Sequence, residues 1–108
     1  MANTGILADE TLLATTYTAV YSPTADTFGV VTLNICNKNS TSIQVRVAIA
    51  TDPSIPTAGD YIEYMTTVLP NGVLERTGIV IEAGRTIYCY STQANTDVVV
   101  FGIETETA

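Results

Sequence analysis

The chain has 108 residues, a net charge of −7 at neutral pH and a pI near 4.1. This length accommodates one domain with one hydrophobic core and leaves no room for a separate catalytic module. The four basic residues are scattered along an acidic chain, which excludes the basic face that nucleic-acid-binding proteins present to phosphates.

Charged residues make up 14% of the chain, below the roughly 25% of an ordinary soluble domain, whereas the apolar fraction of 46% is ordinary. Depletion of charge is typical of the core of a protein interface, so the composition favours an assembled protein, and we expect a homo-oligomer. No window approaches 18 consecutive apolar residues, and the first ten residues lack the features of a secretory signal. We therefore expect synthesis in the cytoplasm and no membrane partner.

The N-terminal segment, residues 1–10, has little hydrophobic pattern and is interpreted as an arm that contacts a neighbouring chain. Ile6 and Leu7 are its candidate interface residues. The domain itself is predicted to span residues 11–108, and the β-rich run at residues 11–21 predicts its first strand.

Six further segments have the composition or the alternation of β-strands and are separated by turn residues. They are residues 28–37, 42–51, 61–69, 73–81, 86–92 and 98–105. The first two of these six are expected to form a hairpin. The Pro70-Asn71-Gly72 sequence predicts a hairpin turn with positive φ at Gly72, and the proline-containing residues 52–59 predict a loop.

About seven short strands without any helical period predict an all-β fold, a single antiparallel β-sandwich of jelly-roll or immunoglobulin-like kind. Two of the strands, around residues 28–36 and 98–103, carry apolar side chains on both faces. One face of each must lie in the core, and we expect the other to be covered by a neighbouring subunit or by the N-terminal arm. Val30, Val98 and Val100, or the residues that alternate with them, are the candidate interface residues on these strands.

The sequence contains no catalytic, cofactor or metal motif. It has no histidine, which removes the commonest general base and metal ligand, so we expect no enzymatic activity. Glu104 and Glu106 are interpreted as solvated charges near the C-terminus. Asp52 and Asp60 lie eight residues apart without patterned partners, which is a weak Ca²⁺ signal, and we predict no metal site.

The two cysteines and the six tyrosines leave alternatives open. Cys36 and Cys89 are interpreted as small, buried, reduced side chains, with one inter-strand disulfide as the alternative. Tyr61 and Tyr64 are expected on opposite faces of a strand. They are candidates for a carbohydrate-stacking surface, although tyrosines at strand edges more often serve packing or interfaces.

Two stretches carry a family resemblance. The first stretch is residues 32–50 and the second is residues 62–88. The second includes the sequence Leu-Pro-Asn-Gly-Val-Leu-Glu-Arg-Thr-Gly. Together they resemble a family of small virion structural proteins of tailed bacteriophages, cyanophages especially, over roughly residues 17–104. The resemblance implies a β-sandwich module attached to a capsid, neck or tail, without catalytic residues. Residues 23–27 depart from the family pattern.

The resemblance leads to an expected function as a capsid decoration (cement) protein, located in the virion, that binds the major capsid protein lattice from outside and stabilises it. A homotrimer at a local three-fold axis is the expected assembly. The alternatives are a neck, tail or baseplate component and a receptor- or glycan-binding module. A hydrolase of envelope polysaccharide is disfavoured by the absence of histidine.

Overall fold

The computed structural model describes residues 3–51, 56 and 59–107. All regular secondary structure within these residues is β-strand, and they contain no helix. Two antiparallel four-stranded sheets pack face to face, which confirms the predicted all-β sandwich. The predicted loop at residues 52–59 lies almost entirely outside the described residues.

Eight strands form the two sheets. They are β1 (Thr4–Leu12), β2 (Thr18–Tyr21), β3 (Thr27–Asn37), β4 (Ile43–Thr51), β5 (Tyr61–Val68), β6 (Val73–Glu82), β7 (Arg85–Ser91) and β8 (Thr96–Glu106). The first sheet has the order β1-β8-β3-β6 and is called sheet A, and the second has the order β2-β7-β4-β5 and is called sheet B.

The chain passes from one sheet to the other at every connection except that between β4 and β5. An eight-stranded double sheet with this strand order is a jelly roll, which decides between the two sandwich types that the sequence left open. Among the strands of the described residues, β4 and β5 are the only pair that is both consecutive in sequence and hydrogen-bonded to each other.

The N-terminal region differs from the prediction of an arm followed by one long strand. Residues 4–10 belong to β1, which pairs with β8 from Thr4↔Ile103 to Leu12↔Thr96. The chain then turns at Thr15, whose φ is 51° and whose amide donates to the Ser91 carbonyl at 2.8 Å. This turn carries the chain from sheet A to sheet B and divides the predicted first strand into the end of β1 and β2.

Both predicted hairpins are wrong. β3 pairs with β8 and β6, whereas β4 pairs with β5 and β7, so these two consecutive strands lie in different sheets. The turn after β5 likewise leads from sheet B to sheet A, and its positive φ of 56° falls on Asn71 and not on Gly72. The Gly72 amide donates to the Leu69 carbonyl at 2.9 Å, which closes a four-residue turn with Asn71 in its third position, as in a type II turn.

The core lies between the sheets and consists of the inward-facing side chain of every second strand residue. Its largest fully buried apolar side chains are Leu12, Val31, Leu33, Ile35, Ile43, Val45, Val47, Ile81, Ile87, Val98 and Val100. Burying each of these contributes roughly 1.5 to 3 kcal/mol. This apolar layer is what holds sheet A on sheet B.

A buried carboxylate joins both ends of the chain to the core. Glu104 is only 6% exposed, contrary to its interpretation as a solvated charge. Its Oε2 accepts a hydrogen bond from Tyr21 Oη at 2.6 Å, and its Oε1 accepts from Thr24 Oγ1 at 2.9 Å and from Asn3 Nδ2 at 3.3 Å. Burial acts to raise the pKa of Glu104, but these hydrogen bonds outweigh it and hold the pKa below its ordinary value.

Replacing Glu104 with glutamine is expected to lower the free energy of unfolding at pH 7 by about 1 to 3 kcal/mol, because the amide cannot accept all of these hydrogen bonds. A lowered folded pKa stabilises the fold above the ordinary value of 4.5 and loses this effect as the pH falls through the folded value. Denaturant unfolding at a series of pH values should therefore show the difference between wild type and E104Q shrinking in acid. The exposed Glu106→Gln on the same strand is the control, and a difference that does not depend on pH would contradict the assignment.

Candidate functional site

The outer surface of sheet A carries a contiguous group of apolar side chains, which we call the apolar face. It comprises Ile6, Phe28, Val30, Val80, Phe101 and Ile103. In the strand register Val30 lies between Ile103 of β8 and Val80 of β6, so these three form one row across the sheet. Ile6 pairs with Phe101 in the next row.

The apolar face is accessible at its edge and framed by charge. Val80 on the edge strand β6 is 65% exposed and Ile103 is 51% exposed. Glu82 lies opposite Phe28 at one end of the group, and Asp9 on β1 lies opposite Val99 beyond its other end. An apolar centre with a charged rim is the composition of a protein interface.

The five residues that the sequence predicts at an interface lie in three different environments. Ile6 and Val30 lie on the apolar face, and Leu7 is partly buried against the core. Val98 and Val100 are 0% exposed and lie in the core, so as interface residues they are wrong. The pairing of β8 with β3 directs the even-numbered side chains of β8 inward. The odd-numbered side chains of β8 therefore point outward.

The outer surface of sheet B has a different chemistry. Four tyrosines surround one arginine there, and we call Tyr17, Arg46, Tyr61, Tyr64 and Tyr90 the Tyr–Arg cluster. They come from β4, β5, β7 and the segment before β2, so the sheet topology and not the local sequence brings them together.

The Arg46 guanidinium is the centre of the cluster. Its carbon lies 4.7 Å from the ring centroid of Tyr64 and 4.5 Å from that of Tyr90, both within the range of cation–π contacts. Its Nη1 donates to Tyr17 Oη at 2.8 Å, and its Nε donates to Met65 Sδ at 3.1 Å. These contacts fix the plane of the guanidinium on the surface of the sheet.

The tyrosines also contact each other. The hydroxyls of Tyr17 and Tyr61 are 2.6 Å apart, the Tyr17 and Tyr90 rings are 5.0 Å apart, and the Tyr61 and Tyr64 rings meet edge to face at 4.9 Å. Tyr61 and Tyr64 therefore lie together, although the sequence predicts them on opposite faces.

A bulge in β5 accounts for this placement of Tyr64. Val45 pairs with Thr66 and Val47 pairs with Glu63, so Arg46 on β4 lies opposite two residues, Tyr64 and Met65. Met65 has a φ of 52°, a left-handed conformation that non-glycine residues rarely adopt. A bulge changes the direction of side chains along a strand, and here it directs Tyr64 over Arg46.

The hydrogen bonds of the cluster shift the acidity of its members. Burial acts to raise the pKa of Tyr17, but hydrogen bonds with Tyr61 and Arg46 and the arginine's charge hold that pKa below its ordinary value. The hydrogen bond with Tyr17 raises the pKa of Tyr61 and of Arg46. Tyr17 Oη accepts from Arg46 Nη1, whereas in the Tyr17–Tyr61 pair either hydroxyl can be the donor.

Across residues 3–51, 56 and 59–107, no group of three or more histidine, cysteine, aspartate or glutamate side chains is placed to hold a metal ion. Asp52 of the weak Ca²⁺ signal lies outside the described residues. In the same part of the chain, no helix is long and apolar enough to cross a membrane.

The two cysteines are free and belong to different sheets. Cys89 is fully buried in the core, and burial raises the pKa of its thiol to about 12. Cys36 is half-buried on the outer side of β3, next to Asp97 of β8 and Val73 of β6. The inter-strand disulfide that the sequence left as an alternative is absent.

Comparisons of the chain with protein-family models, with curated proteins and with solved structures find no match. The resemblance to phage virion proteins therefore stays a prediction.

The placement of the cysteines predicts a stepwise reaction with a chromogenic thiol reagent. We expect one equivalent to react in the native protein, from Cys36, and the second only on unfolding, because the Cys89 thiol is both inaccessible and protonated. Cys36→Ser should abolish the native reaction and leave one equivalent in denaturant. Two equivalents reacting at equal rates in the native protein would contradict the burial of Cys89.

Proposed function

We propose that this chain is a virion structural protein, and specifically a capsid decoration protein of a tailed bacteriophage that attaches to the major capsid lattice. A binding role without catalysis is part of the proposal. The observation that carries it is the apolar face of sheet A, an accessible and contiguous apolar surface with a charged rim. The family resemblance of the sequence supplies the class of partner.

The size of the apolar face favours binding of several linked copies to a repeating lattice over binding of one copy to a single partner. Fully burying a Val, Ile or Phe side chain contributes roughly 1.5 to 3 kcal/mol, and these side chains are already partly covered by their own sheet. Association of two proteins costs an estimated 4 to 15 kcal/mol or more in lost freedom of motion. One copy alone therefore gains little net free energy, whereas linked copies on a lattice bind with a high effective concentration.

The absence of charge within the apolar face supports a protein partner. Its six members are all uncharged, so a neighbour can cover them without separating an ion from water. The acidic residues at the rim remain in solvent, and with a net charge of −7 they disfavour contact with nucleic acid.

The proposal extends to a homotrimer, because cyclic symmetry links three copies of the attachment surface into one unit without open-ended growth. A neck, tail or baseplate position is the alternative within the same class of protein. The alternatives differ in where the protein is found on the particle and in how many copies bind.

Charged substitutions on the apolar face test this proposal. Val80→Glu and Ile103→Glu are expected to reduce binding to phage particles assembled without this protein by about tenfold or more, because each places an unpaired charge in the contact. Gln44→Glu, an exposed position on sheet B, makes the same change in charge and is the matched control. Binding is measured by co-sedimentation with the particles, and folding by circular dichroism.

Each result of this experiment has a defined meaning. Wild-type binding by both apolar-face variants would contradict attachment through sheet A. Binding of the wild-type protein to isolated necks or tails but not to capsids would replace decoration by the alternative position. Deletion of residues 1–10 is a poor substitute for these variants, because it removes most of β1 and uncovers the edge of β8.

A further inference from the structure

The most distinctive side chain outside the apolar face is Arg46, because within the described part of the chain it lacks the acidic partner that the other basic side chains have. Among the described residues, Lys38 is paired with Asp97, Arg76 with Glu63 and Arg85 with Glu82. Arg46 is the one basic side chain in that part of the chain without a carboxylate partner, in a protein with eleven acidic residues. Within the described residues its contacts are the rings of Tyr64 and Tyr90, the Tyr17 hydroxyl and the Met65 sulfur.

The cluster orients this unpaired charge. Tyr64 and Tyr90 contact the guanidinium with their rings, and Tyr17 and Met65 accept from Nη1 and Nε. The remaining N–H groups of the guanidinium have no acceptor among the described residues. A guanidinium held in one plane presents its free N–H groups in the geometry that a carboxylate accepts.

The exposed aromatic surface beside the guanidinium offers a second kind of contact. Tyr64 is 60% exposed, although it is held over Arg46 by the bulge of β5 and by the positive φ of Met65. Strained backbone of this kind is concentrated at binding and catalytic sites. The Tyr17 and Tyr61 hydroxyls add polar groups on the same surface.

We propose that the Tyr–Arg cluster is a binding site for a carboxylate-bearing sugar. The carboxylate lies on the free N–H edge of Arg46, the apolar face of the pyranose ring stacks on Tyr64, and the Tyr17 and Tyr61 hydroxyls hydrogen-bond the ring hydroxyls. Uronic acids and sialic acids both provide this chemistry, a carboxylate attached to a ring with an apolar side and several hydroxyls.

Two observations favour a sugar acid over other anions. The cluster contains a single cation, for which the described residues provide no carboxylate, so it is suited to one carboxylate and not to a polyphosphate backbone. Two tyrosine hydroxyls, Tyr17 Oη beside the cation and Tyr61 Oη beside Tyr17, favour a ligand with several hydroxyls over an acidic amino-acid side chain. The cluster is on sheet B and the apolar face is on sheet A, so this proposal does not rest on capsid attachment.

Titration of the free protein with defined sugars tests the proposal. The probes are a galacturonate trisaccharide and sialyllactose, and the comparators are the same sugars with their carboxylates methyl-esterified. Four of the six tyrosines belong to the cluster and the chain has no tryptophan, so intrinsic tyrosine fluorescence reports the site directly. Chemical shifts of the backbone amides of β4 and β5 provide a second readout.

We expect saturable binding of at least one acidic sugar and a loss of about tenfold or more on esterification, since a charge-assisted hydrogen bond is removed. Arg46→Lys should weaken binding by about tenfold, because an ammonium cannot reproduce the planar fork of the guanidinium. Tyr64→Ala should weaken it several-fold. Arg85→Lys and Gln44→Ala are matched controls that should bind as the wild type does.

Three outcomes would overturn the proposal. They are no saturable binding of either acidic sugar at millimolar concentration, equal binding of the esterified sugars, and equal binding of an acetylated, amidated glutamate, which would show a carboxylate site without sugar recognition. Thermal unfolding of each variant distinguishes loss of the site from loss of the fold. Tyr64→Ala, at an exposed position, keeps the test decisive if Arg46→Lys is unstable.

Discussion

The uninterrupted pairing of β3 with β8 is the interaction on which the rest of the molecule depends. It runs in register from Thr27↔Glu106 to Asn37↔Thr96 without a bulge, whereas the ladders of β1 with β8 and of β3 with β6 both contain a register shift. Gly102 makes the close approach possible, because a Cβ at this position would collide with the Val30 carbonyl oxygen. The register of these two strands determines both which of their side chains point into the core and which form the outer row of apolar side chains.

The two outer surfaces give the molecule two distinct kinds of contact. Sheet A presents aliphatic and phenylalanine side chains that gain from being covered, whereas sheet B presents hydroxyls, rings and one oriented positive charge. An ion pair connects the edge strands β6 of sheet A and β5 of sheet B. It joins Arg76 Nη1 to Glu63 Oε2 at 2.6 Å. Because the core between them is close-packed, the two surfaces are held in a fixed relation to each other.

Alternation of apolar residues predicted the position of most strands, but it could not predict their pairing, since period two is the same whichever neighbour a strand has. For the same reason it could not choose between Val98 and Phe101 as the outward residue of a strand that is apolar on both sides. The Asn-Gly turn was recognised, but the positive φ fell on Asn71, because the turn joins two sheets and not a hairpin. The Tyr–Arg cluster was missed because the bulge at Met65 places Tyr64 beside residues distant in sequence, and a left-handed non-glycine residue has no strong sequence signal.

The position of β8 inside sheet A has a consequence for how the protein is made. Among the described strands β8 is the only hydrogen-bonded partner of β1, and it is also one of the two partners of β3. During translation β3 can pair with β6, but β1 has no partner in sheet A until β8 has been synthesised. At roughly 5 to 20 residues per second, β1 waits for several seconds with its edge unpaired. Sheet A is therefore completed only after β8 has left the ribosome, and until then the unpaired edges of β1 and β3 are exposed to misassociation.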